Sequence, residues 1–171
     1  MKAKLCLFIL VSLSLAINSF AGTQCQHHQQ MQSKTRAESV NERGDHAMGF
    51  SHEKTTHHFL LTATGGVIEV TANDANDEMS LRQIRSHLSH IAKMFKEGDF
   101  NTPMLVHGEM PPGVDTMRAS KAAIDYKFEK VELGGRVNIS ASSTTDIAAI
   151  HEFLRYQITD HQTGDSLEVR K

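Results

Sequence analysis

Residues 59–72 read FLLTATGGVIEVTA and residues 128–141 read FEKVELGGRVNISA. In each, a Phe stands six residues before a Gly-Gly pair, and branched apolar residues follow three and five positions after the first Gly: Ile68 and Val70, matched by Val137 and Ile139. Alternating runs flank both glycine pairs. That pattern predicts two tight hairpins with the glycines at the turn, where φ is positive. After each hairpin comes a polar stretch, NDANDEM or SSTTD, rich in helix N-cap residues. A helical apolar stripe follows in both cases: Leu81, Ile84, Leu88, Ile91 and Phe95 over about 78–96, and Ile147, Ile150, Leu154 and Ile158 over about 145–161. The unit is strand, strand, helix, and the sequence contains it twice, at about 57–97 and 125–161.

Along the strands, Ile68, Val70 and Ala72 share a face with Val137, Ile139 and Ala141, whereas Glu69, Thr71, Asn138 and Ser140 take the other. One apolar face and one polar face predict an α+β fold. Two ββα repeats form a four-stranded, mainly antiparallel sheet with two helices on one face. The connector, 98–124, holds all three prolines, Pro103, Pro111 and Pro112. It reads as a loop with a short strand at Met104 to His107 and a short helix after Pro112.

Residues 1–21 read as a signal peptide: Lys2 and Lys4 precede an apolar run, and Ser19 and Ala21 stand at the −3 and −1 positions of a cleavage site. The run is too short to span a bilayer, and no later segment is apolar enough. The expected location is periplasmic or secreted. Residues 22–42 read as a flexible polar leader, and 43–171 as a single α+β domain of a size that can bury a core. The cleaved chain carries 16 basic and 20 acidic residues, a net charge near −4, which argues against nucleic acid as a partner. Cys6 leaves with the signal, so Cys25 has no intramolecular partner. It remains a free thiol, an intermolecular bridge or a ligand beside His27 and His28.

Histidines gather in the first repeat and the segment leading into it: His46, His52, His57, His58, His87 and His90, with Met48 and Met94 nearby. If Phe59 matches Phe128, then His57 matches Tyr126, and both point toward the helices while His58 points away. His87, His90 and Met94 form a stripe beside the apolar face of the first helix. Neutral imidazoles suit zinc or copper, and thioether sulfur suits reduced copper. The candidate metal ligands are therefore His57, His87, His90, His52, His46, Met48 and Met94, with a copper or zinc ion as the partner. His107, His151 and His161 read instead as hydrogen-bonded polar residues, and Met79 and Met104 as packing residues. Arg43-Gly44-Asp45 reads as a turn, and Asn138-Ile139-Ser140 as a chance sequon within a strand.

No catalytic motif is recognised. Thr55 and Thr56 beside the histidines leave room for a metal-assisted hydrolase, with Glu53, Asp45 or Asp99 orienting an imidazole. A structural or partner-binding envelope protein is the third class. The strings RGDHAMGFSHEKTTHHF, IRSHLSHIAKMFKEGDFNTPML and MPPGV resemble a group of exported bacterial proteins of about this length. The resemblance covers Arg43 to about Asp165 and implies no activity, cofactor or substrate.

Overall fold

A computed structural model of the chain describes residues 34–170. The signal segment, most of the leader, and Cys6 and Cys25 lie outside the described residues. In chain order the elements are α1 (Arg36–Met48), a 3₁₀ turn (His52–Lys54), β1 (Thr55–Thr62), β2 (Gly65–Ala72), α2 (Glu78–Lys96) and α3 (Asn101–His107). Then follow α4 (Val114–Ala119), β3 (Asp125–Val131), β4 (Gly134–Ser140) and α5 (Thr144–His161).

The four strands form one antiparallel sheet in the order β1-β2-β4-β3. Pairing aligns Phe59 with Ile68, Ile68 with Val137, and Val137 with Phe128, so these side chains share a face. On that face they meet Ile84, Leu88 and Ile91 of α2 and Ile150, Leu154 and Ile158 of α5 in one buried cluster. The fold is α+β with ββα order, as the alternation predicts. Leu81 and Ile147, in the opening turns of their helices, are half-buried, and Phe128 packs partly buried against the cluster.

Where the helices lie on the sheet is less obvious. α2 follows the first hairpin but packs chiefly on β3 and β4, and α5 follows the second hairpin but packs on β1 and β2. Each helix thus covers the hairpin of the other unit.

The turns correct the reading of the glycines. The two-residue loops are Ala63-Thr64 and Glu132-Leu133, and each Gly-Gly pair instead opens the returning strand. A β-carbon on Gly65 would stand 2.3 Å from the Ile139 carbonyl oxygen, and one on Gly134 would stand 1.9 Å from that of Val70. On Gly66 it would meet Leu154 of α5 at 2.1 Å, and on Gly135 Phe128 at 2.7 Å and Leu88 of α2 at 3.4 Å. The glycines let β2 and β4 approach each other and let a helix lie on each. Only Gly65 also has a positive φ, 147°.

Two further segments differ from expectation. The leader does not run to residue 42, because α1 begins at Arg36 under a reciprocal cap: the Thr35 hydroxyl accepts from the Glu38 N–H, and the Glu38 carboxylate accepts from the Thr35 N–H at 2.7 Å. Arg43, Gly44 and Asp45 are therefore helical, not a turn. Met104 to His107 is the end of α3 rather than a strand; Pro103 fits its first turn, where no helical partner for an N–H is needed, and Gly108 closes it at φ 71°. The short helix after Pro112 is α4.

Candidate metal site

Register on β1 places His57 on the helix-facing side with Phe59, and His58 on the other, as the alternation predicts. The His58 ring is 43% exposed and its Nδ1 lies 2.9 Å from Asp165 Oδ1. His57 enters a cavity of about 70 Å³ between the sheet, α2, α3 and α5. Three more imidazoles line it: His87 of α2, His107 of α3 and His161 of α5. Its remaining wall is largely apolar, with Phe59, Phe95 and Phe153 among the lining side chains.

A second, more polar pocket of about 220 Å³ lies beyond, lined by Asn41, Gly44 and Met48 of α1, His52, Thr55 and Thr56, and His161 and Thr163. Met48, His57 and His161 line both spaces. They stand where the polar mouth meets the apolar interior. The His57 and His161 rings are parallel with centres 6.2 Å apart, and Phe59 and His107 pack on His161 at 5.6 and 5.0 Å.

Burial dominates the electrostatics of the lining. It pushes the His57 imidazolium down to about 4, with repulsion from His52 and His58 adding to the effect and Asp45 opposing it. It pushes His87 down to about 4 and His161 to about 3, each also repelled by a neighbouring histidine. At neutral pH all three rings carry a free lone pair. Nε2 of His57 is buried with no hydrogen-bond partner among the described residues. Such an orphaned polar atom is uncommon in a buried site.

His107 differs, because both of its nitrogens are engaged: Nδ1 lies 2.5 Å from Asp160 Oδ2 and Nε2 2.9 Å from Gln157 Oε1. It is a buried hydrogen-bonded histidine, as expected, and is unsuited to be a ligand. Burial raises the Asp160 carboxyl, but hydrogen bonds from Arg36 and His107 outweigh it and hold the group below the usual carboxylate range. Arg36 also reaches Glu109 and the Tyr156 hydroxyl, each at 2.6 Å, and Arg43 Nε donates to the Val106 carbonyl at 2.7 Å. These bonds hold α1 against α3 and α5, over the outer pocket.

Of the candidate ligands read from sequence, the structure brings His57, His87, His52 and Met48 to these two spaces and leaves the others outside. His90 is exposed, because 100° per residue carries it about 60° further from the core than His87. Met94 packs against the core, its sulfur 3.8 Å from the Thr102 hydroxyl, and does not line the cavity. His46 is exposed, two residues from Met48 and so on the far side of α1. His161, read as an ordinary polar residue, belongs to the lining. The clue was its place at the end of a helix whose apolar face must meet the sheet. His151 donates from Nε2 to the Thr62 carbonyl at 2.9 Å, fixing α5 on the first hairpin.

Among the described residues, no three His, Cys, Asp or Glu side chains converge as tightly as a bound ion requires. Two imidazoles sharing an ion through bonds of 2.0 to 2.1 Å keep their centres within roughly 6.4 Å. His57 and His161 satisfy that bound by separation but are stacked rather than aimed at a common point. Sharing one ion would require both rings to turn. The hydroxyls of Thr55 and Thr56 are already committed, donating to the Ser51 carbonyl at 3.1 Å and to Asn73 Oδ1 at 2.7 Å. No protein-family model matches the chain, and no curated protein or solved structure matches it.

Proposed function

We propose that the chain is an exported protein that binds one copper or zinc ion where the two pockets meet. His57 and His161 are its inner ligands, with Met48 beside them and His87 on the interior side. The observation that carries this reading is the unpartnered, buried Nε2 of His57 in a wall that it shares with a second neutral imidazole, His161. Neutral nitrogens are what a transition metal requires, and burial supplies them without a deprotonation step near pH 7. The thioether of Met48 favours reduced copper over zinc, since soft sulfur prefers the softer ion.

Support also comes from the apolar walls, which limit competing water around an ion held there. No helix among the described residues is long and apolar enough to cross a membrane. The test is titration of the untagged mature chain with zinc, cupric and cuprous ions at neutral pH. One equivalent should bind, His57→Ala should abolish stoichiometric binding, and His58→Ala should leave it intact. Equal effects of the two substitutions would remove the site from this cavity.

A further inference from the structure

Gln157 of α5 lines the interior cavity and is only 4% exposed. Its Oε1 lies 2.9 Å from His107 Nε2, which holds the amide in place, and its Nε2 is buried without a hydrogen-bond partner among the described residues. Left unpaired and away from water, an amide group costs more than an ordinary hydrogen bond returns, so this one calls for a partner. The rest of the lining does not supply it. His107 has both nitrogens engaged, and the Thr102 hydroxyl faces the Met94 sulfur at 3.8 Å. Nor does any Lys, Arg, Asp or Glu among the described residues line the cavity. A charged occupant there would be desolvated without a counter-ion, which a neutral one avoids.

We propose that the interior cavity is a binding site for a small neutral alcohol, whose hydroxyl pairs with the free amide group of Gln157 and whose alkyl end lies among Phe59, Leu88, Phe95 and Phe153. A hydroxyl both donates and accepts, so it serves either orientation of the amide. The space of about 70 Å³ is roughly half of the ~150 Å³ that encloses a benzene ring, which leaves room for an alkyl group of about three carbons. Aromatic and branched walls around a single polar anchor are what a small-molecule site requires. The inference goes beyond the ion at the junction and does not rest on it, because Gln157 lines the interior cavity and not the outer pocket.

The experiment titrates the full mature chain with isopropanol, isopropylammonium and xenon, in the presence of a chelator so that no metal ion competes. Binding is read from the magnetic resonance signals of the Phe59, Phe95 and Phe153 rings. Isopropanol should move these signals saturably, as one site, and xenon should enter the same space. Isopropylammonium, alike in shape but charged, should bind at least about 10-fold more weakly than isopropanol. Gln157→Leu should weaken isopropanol roughly 3- to 10-fold, the effect of one hydrogen bond, and leave xenon unchanged. Isopropanol that never saturates these signals overturns the inference, and a cavity that takes xenon alone is an apolar void. A Gln157→Leu chain that loses isopropanol and xenon alike, or neither, also overturns it, as does isopropylammonium that binds as well as isopropanol. Should Gln157→Leu not fold, Val106→Leu decides, because it takes up cavity space without removing a polar side chain. It should weaken isopropanol and xenon together; unchanged isopropanol binding would place the alcohol elsewhere and sink the proposal.

Discussion

Gly134 shows how little room the centre of the sheet allows. The β-carbon of an Ala there would fall 1.9 Å from the Val70 carbonyl oxygen and 2.9 Å from the Thr71 α-carbon, both main-chain atoms of the paired strand. Neither can rotate away. Gly134→Ala should therefore destabilise the protein at or above the upper end of the roughly 1 to 3 kcal/mol typical of overpacking, as read from urea unfolding. A change below about half a kcal/mol would mean that β2 and β4 can separate freely. The side chain of Leu88 makes the opposite case, being 2% exposed on the core face of α2. Leu88→Ala should cost about 2 to 5 kcal/mol by leaving a cavity next to the one already present. The opposite directions of His57, into the site, and His58, away from it, were its most legible feature, since a strand sends adjacent side chains to opposite faces whatever packs above them.

At the scale of elements, α1 depends on its ends. Its buried contributions are few, Val40 and Gly44, with Met48 partly covered, so no broad apolar stripe announces it. The legible signal was the capping box itself, Thr35 followed by Glu38, with Gly49 in the left-handed region at the far end. Thr35→Ala should lower the stability of this helix by about 1 kcal/mol. Amide exchange in α1 should quicken relative to α2 and α5, and uniform exchange across all three would count against it. α3 illustrates the same point. A seven-residue helix has too few turns for a period, and Met104 to His107 could be told from a strand only by Pro103 before it and Gly108 after it. α2 and α5, long and capped by Asp77 and Ser143, were legible from period and cap together.

Across the whole molecule, the three half-buried neutral imidazoles couple folding to acid. His57 faces His52, Asp45 and His58; His87 faces His57 and His90; His161 faces His107, His57 and Asp160. In the unfolded chain each ring takes a proton near 6.5, whereas in the fold it does so near 4, 4 and 3. Between these values the unfolded state binds more protons, so stability is complete above about pH 6.5 and declines as pH falls toward 4. The slope is at most about 1.4 kcal/mol per pH unit for each ring. The urea midpoint should fall between pH 7 and pH 5, and replacing His57, His87 and His161 together by Gln should flatten that fall. A midpoint independent of pH in this range would show that the rings are not held neutral. Bound metal would steepen the dependence, since protons compete for the same nitrogens.

Period-two alternation in 59–72 and 128–141, and the 3.6-residue stripes after them, determined the sheet, both long helices and the inward direction of His57 and Tyr126. Those are local properties, set by backbone geometry within a single element. The partner of His57 was not legible, because it depends on which helix lies over which hairpin. The helix following the first hairpin packs chiefly on the second, and α5 comes back over the first, carrying His161 to a strand about a hundred residues earlier in the chain. No period or spacing encodes that exchange. It follows from the fit of Leu154 over Gly66 and of Leu88 over Gly135, contacts that exist only once β2 and β4 are paired.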